Sequence, residues 1–323
     1  MIKRNLWLCL VFIILLSACA ENTLGASKYA LVVGAGRGKL LFGHRVVYAV
    51  DEYGNLLNLE IPKEEELGNN PEWSPDGEWI AHSYLNPNPK SASDYDIYII
   101  DSRNQNNSIR ITQNLISPNA PDWSPNGTQI VFYAYDADSR DFGIYLLEVK
   151  CILQGENCTP EPTFLISGDY PDWSPDGKKI VYRDRARSEI YIVDVQNPGE
   201  TVKISEGLGS CSSPQWSPDG IKIAFVCNET VYIVDPDGGN PINLMSGSLY
   251  LLKWSPDGKK IAFIGTEALD PNLGQVLDLE GTIGSTAVYI MDANGANVVR
   301  ITKSNEESIG WFTWFPTGNV QTK

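Results

Sequence analysis

The chain has 323 residues, 42% of them hydrophobic, with 40 acidic and 25 basic side chains giving a formal charge of −15. Such an acidic surface repels nucleic acid and anionic lipid, so neither is expected as a partner of the folded body. Only two histidines are present, and no Gly-x-Ser-x-Gly elbow, which counts against a serine hydrolase.

Residues 1–19 are read as a targeting segment rather than as part of the fold. Lys3 and Arg4 precede an apolar run of 11 residues, Leu6–Leu16, too short to span a bilayer. Leu16-Ser17-Ala18-Cys19 follows. It resembles the bacterial lipoprotein box, which implies acylation of Cys19 and an extracytoplasmic protein whose only hold on the membrane is its N-terminal lipid. An ordinary secretory signal with a chance cysteine is the alternative. Residues 20–38 are read as tether and lead-in, 39–318 as the folded domain and 319–323 as a tail. Gly34-Ala35-Gly36-Arg37-Gly38-Lys39 fits neither the dinucleotide nor the P-loop spacing, so no nucleotide cofactor is expected.

From there the chain repeats itself. Trp-Ser-Pro-Asp-Gly stands at Trp73–Gly77, Trp173–Gly177, Trp216–Gly220 and Trp254–Gly258, with variants at Trp123–Gly127 and Trp314–Gly318. Intervals of 38 to 60 residues indicate a propeller or solenoid. Each Trp is expected to begin a strand, and Ser-Pro-Asp-Gly to close a tight hairpin in which Gly takes the left-handed corner. Second strands are expected at Trp79–Ser83, Gln129–Tyr133, Lys179–Arg183, Lys222–Val226 and Lys260–Ile264. Third strands end in an acid (Ile97–Asp101, Ile144–Glu148, Ile190–Asp194, Val231–Asp235, Val288–Asp292), and a fourth closes each unit. The sixth Trp has too little chain behind it. Lys39–Phe42, Val46–Asp51 and Leu56–Glu60 are therefore expected to complete its blade. The reading is an all-β, six-bladed propeller of four-stranded antiparallel blades, the last closed jointly by both termini, which leaves few free sheet edges. A closed ring of this kind is expected to be a monomer.

The repeat resembles the TolB-like (WD-like) β-propeller family over roughly residues 39–318. The resemblance is specific for fold and uninformative about function, because propellers host many activities. The family's namesake carries an extra N-terminal domain, which is not expected in this sequence, so the namesake's partners are not carried over.

Four cysteines remain after Cys9 and Cys19, and export favours their pairing. Cys211 and Cys227 flank one hairpin almost symmetrically and are expected to bond across it. Cys151 and Cys158 share a long turn and are expected to bond there. His82 occupies the slot that Phe132, Tyr182, Phe225 and Phe263 hold in other units, so it is read as a core residue.

Two constellations are candidate sites. The residue before each Trp gives Glu72, Asp122, Asp172, Gln215, Lys253 and Thr313, a ring expected to face the central channel. Two readings of that ring are open: capping of backbone groups between blades, or capture of a cationic group or divalent ion. No other cofactor or metal site is expected, and no catalytic residue is assigned. The second constellation is a rim where the links between strands two and three emerge, longest at 265–287. Tyr84, Tyr95, Tyr135, Tyr170, Tyr250, Trp311, Leu273 and Leu277 are its expected anchors for a protein or peptide. The functional expectation is a non-enzymatic, lipid-anchored binding module of the cell envelope. The alternative is a glycan-binding or glycan-cleaving surface propeller using Asp136 and Asp138.

Overall fold

In the computed structural model, residues 29–35, 46–50, 56–57, 68–86, 95–102, 107–113, 115–136, 140–156, 158–266, 286–302 and 309–316 are described. They form six four-stranded antiparallel sheets. Five are consecutive in sequence: blade 1 starts at Asn69–Trp73, blade 2 at Ile116–Trp123, blade 3 at Asp169–Trp173, blade 4 at Cys211–Trp216 and blade 5 at Leu249–Trp254. In blade 6, Ile309–Pro316 pairs with Tyr29–Ala35, which pairs with Val46–Val50 and then Leu56–Leu57. The ring is closed by both ends of the chain, as expected.

Two expectations need correction. The second strand of blade 6 is Tyr29–Ala35, not Lys39–Phe42, which lies outside the described residues. Tyr29-Ala-Leu-Val-Val satisfies strand propensity better than the glycine-rich stretch after it, and the pairing runs on to Ala35 through a register shift at Gly34/Ala35. The propeller thus begins at Tyr29, and residues 20–28 alone separate it from Cys19. In blades 1 to 5, moreover, the Trp ends the first strand rather than beginning it.

That placement follows from the turn. In blade 1 the Ser74 hydroxyl donates to Asp76 Oδ1 at 2.6 Å and accepts from the Trp79 amide at 2.9 Å. Asp76 Oδ1 also accepts from the Glu78 amide at 3.0 Å, and Gly77 N–H donates to the Ser74 carbonyl at 2.8 Å. Gly77 sits at φ 72°, where a side chain is strained. Blades 2 to 5 repeat the same hydroxyl–acceptor pair, with Asn126 standing in for Asp. The strand must therefore stop at Trp for its own Ser to form the corner. The buried Trp ring packs between blades, and Trp123 Nε1 donates to the Glu72 carbonyl of the preceding blade at 3.1 Å.

In blades 2 to 5 an aromatic pair crosses from strand two to strand three: Phe132–Tyr145 at 5.9 Å, Tyr182–Tyr191 at 6.1 Å, Phe225–Tyr232 at 6.5 Å and Phe263–Tyr289 at 5.5 Å. His82 replaces the first ring in blade 1, stacked on Tyr98 at 6.1 Å. It is 1% exposed, and its Nδ1 accepts from the Gly68 amide at 3.0 Å. Burial pulls its pKa down to about 4, so it is a neutral core residue at physiological pH.

Both expected disulfides are present: Cys151–Cys158 with Cα atoms 6.3 Å apart, and Cys211–Cys227 at 4.0 Å between directly paired positions. The first staples the turn holding a short helix, Lys150–Leu153. The Asp235–Gly238 and Asp292–Gly295 segments are hairpin turns, closed by Gly N–H donating back to the Asp carbonyl at 2.8 Å. Among the described residues no helix is long and apolar enough to cross a membrane.

Candidate functional site

The first strands line a narrow central tunnel of ≈ 50 Å³. Each of the first five carries a residue in the left-handed region three positions before its Trp: Asn70, Ala120, Tyr170, Ser213 and Leu251. The local irregularity turns the residue just before Trp toward the axis. Glu72, Asp122, Asp172, Gln215 and Lys253 accordingly line one cavity. Thr313 joins them by donating to Glu72 Oε2 at 3.3 Å.

The ring is internally occupied. Asp122 Oδ2 accepts the Trp173 amide at 2.8 Å, and Asp172 Oδ2 accepts the Trp216 amide at 2.7 Å, each stitching its blade to the next. Glu72 turns the other way and contacts the Lys253 ammonium. Protein surrounds these groups on every side although each still faces the void, as with the 13% exposed Lys253 side chain. Burial raises Asp122 to about 7. Asp172 is raised well above the usual carboxylate range, first by burial and then by the charge of Asp122. Burial lowers Lys253 to about 7, while the Glu72 carboxylate in contact with it works in the opposite direction. Asp122 and Asp172 each spend an oxygen on a backbone amide and Glu72 is held against Lys253, so all three acids of the ring have partners within the protein. Among the described residues no group of three His, Cys, Asp or Glu is placed to hold a metal.

The rim is different in character. Tyr84 and Tyr250 are exposed at 37% and 39%, and Tyr95, Tyr135 and Tyr170 are half-buried. Trp311 is not an anchor: it lies within the first strand of blade 6, opposite Gly34, and is fully buried. Leu273, Leu277 and the rest of 267–285 lie outside the described residues, as does the side chain of Asp136, together with Asp138.

Between blades 2 and 3 the rim holds a continuous aromatic–guanidinium cluster. Phe142 lies 5.5 Å from Tyr133 and 5.6 Å from Tyr135, and Tyr133 lies 5.4 Å from Tyr170. Arg183 stacks 5.0 Å above Tyr170, and Arg185 stacks 4.5 Å above Phe142. Beneath them Asp169, 1% exposed, is gripped by Arg183 through Nε at 2.6 Å and through Nη2. Burial, with Tyr170 and Asp169 beside it, pushes the Tyr133 hydroxyl far above its usual range and keeps it protonated. Sequence reasoning found Tyr135 and Tyr170 but missed Phe142, Arg183 and Arg185. The available signal was three arginines in five positions, Arg183, Arg185 and Arg187, in an acidic chain.

With this geometry established, similarity to known proteins can be placed. Residues 174–268 match the family described as Dipeptidyl peptidase IV (DPP IV) N-terminal region. The TolB structure from Acinetobacter baumannii superposes with a TM-score of 0.66 over 88% of this chain at 19% identity. The fold is a TolB-like β-propeller. The chain spans 66% of that A. baumannii protein. A putative TolB from Agrobacterium tumefaciens aligns with a TM-score of 0.58 at 18% identity, covering 90% of this chain and 99% of that one. A chain of the nidogen/laminin complex aligns at 0.61 and 11% identity, covering 88% and 98%. No curated protein sequence matches. At these identities the TolB-like likeness is one of fold.

Proposed function

We propose that the chain is a non-enzymatic binding module of the cell envelope, held to a bacterial membrane by lipid on Cys19, which captures a protein or peptide on its rim. The carrying observation is the aromatic–guanidinium cluster between blades 2 and 3. Tyrosine and arginine dominate binding energy at protein interfaces, and here they are held on strand ends of a closed ring, so little entropy is lost on docking. Similar propellers support this reading: one neighbour was solved in a protein–protein complex, and the matched family is a region of a peptidase that handles peptides. The lipoprotein-like Leu16–Cys19 segment and the two disulfides support export.

The test is capture. The propeller without residues 1–19, immobilised by its N-terminus, is exposed to solubilised envelope proteins and separately to a glycan array. A recurrent envelope protein is expected, lost when Tyr135 and Phe142 are both replaced by Ala while the melting temperature holds. Glycan retention without any protein partner would replace this reading with the carbohydrate one.

A further inference from the structure

We infer that the site between blades 2 and 3 recognises the free C-terminal carboxylate of a partner whose last side chain is apolar. The inference rests on the protein-binding reading above and specifies it. Arg185 carries the argument. Its Nη1 is 3.7 Å from Asp169 Oδ2, beyond a good hydrogen bond, and both Asp169 oxygens are already taken by Arg183. Among the described side chains that contact them, two guanidinium groups therefore share one carboxylate, and Arg185 has no close ion pair of its own. The Arg185 side chain is 50% exposed, yet its Cζ lies 4.5 Å over the Phe142 ring, so the guanidinium is held in place where it can meet a planar, two-pronged anion.

Among the described residues, the two neighbouring acids have other hydrogen-bond partners. Asp184 accepts from the Arg187 guanidinium and the Arg187 amide, and Asp141 accepts from the Phe142 amide at 2.8 Å. A carboxylate bound at Arg185 must sit within about one residue of the Phe142 and Tyr135 rings. An α-carboxylate meets that demand by itself, because it shares a Cα with its own side chain. An Asp or Glu would need help from a neighbouring residue. The overall charge of −15 also disfavours a run of acids and leaves a single carboxylate as the tolerated anion.

Three acetylated tripeptides test this by calorimetry against the folded propeller: Ala-Ala-Phe as the free acid, the same peptide amidated, and amidated Ala-Glu-Phe. The free acid is expected to bind about tenfold or more tightly than either amide. Arg185→Ala should abolish that preference, Arg185→Lys should restore it only in part, and Arg187→Ala should leave it intact. Equal binding of the acid and its amide, equal binding of the internal glutamate, or a preference that survives Arg185→Ala would overturn the inference. Envelope capture by Arg185→Ala, run in parallel, separates the two claims. Retained capture without carboxylate preference removes this inference alone, whereas absence of capture by the native protein removes the reading beneath it.

Discussion

Asp122 shows how one residue can be read correctly for place and differently for role. Its position before Trp123 put it on the axis from sequence alone. Whether it seeks a cation or a backbone amide depends on how closely the next blade approaches, which the repeat does not specify. The structure gives it the Trp173 amide and a pKa near 7. In the unfolded chain it titrates near 3.8, so between pH 4 and 7 unfolding releases a proton that the fold retains. Stability should therefore fall as pH rises through that window, with Asp172 pulling in the same direction. Asn keeps the carbonyl that accepts from Trp173 and carries no charge. Urea unfolding of Asp122→Asn across pH 4–8 should thus show a flatter profile and a stability gain near pH 7.5. An unchanged slope would mean the carboxyl is ionised throughout.

At the scale of the element, the hairpins were legible because a four-residue motif fixes its own hydrogen bonds. Ser, Asp and Gly each have one job in the corner, and the structure repeats it in blades 1 to 5. The error over which strand end holds the Trp arose because the motif marks a turn, and a turn has a strand on either side. The first strand's left-handed residue was not legible: Asn70, Ala120, Tyr170, Ser213 and Leu251 share no residue type, so no motif marks the position. Asp176→Ala removes acceptors for the Ser174 hydroxyl and the Lys178 amide and should cost roughly 1 kcal/mol in chemical denaturation. The disulfides are legible by spacing and differ in expected effect. Cys211 and Cys227, 16 residues apart across two strands, should contribute about 3 kcal/mol as a pair. Cys151–Cys158, closing a separation of 7 in a surface turn, should contribute less, and comparison of the two Cys→Ala double variants by denaturation measures the difference.

For the whole molecule, the corrected start of the propeller has consequences. Tyr29 pairs with Pro316, at the Trp-turn end of blade 6, so the chain leading back to Cys19 leaves from the turn face. From Cys19 to Tyr29 the extended backbone reaches about 35 Å at most. Rounding the blade's outer edge takes about 10 Å for two strand spacings and about 23 Å for a seven-residue strand, which leaves nothing over for the loops. If Cys19 is the anchor, the rim points away from the bilayer. Lipid-borne carbene labelling of the acylated protein should then mark the turn around Ile221 and spare Tyr84 and Tyr250, and Cys19→Ser should release the protein from membranes. Labels confined to the rim would reverse this orientation. The six-bladed plan was legible because the repeat is strict, whereas the rim cluster was not, because its rings and guanidinium groups come from four strands of two blades. The most direct measurement is photo-crosslinking in the intact envelope, with a benzophenone side chain at Tyr84, Tyr135 or Tyr250 on the rim and at Ile221 on the turn face. The account predicts one recurrent protein adduct from the rim positions and none from Ile221. Adducts from Ile221 alone, or no adduct from any rim position, would contradict it.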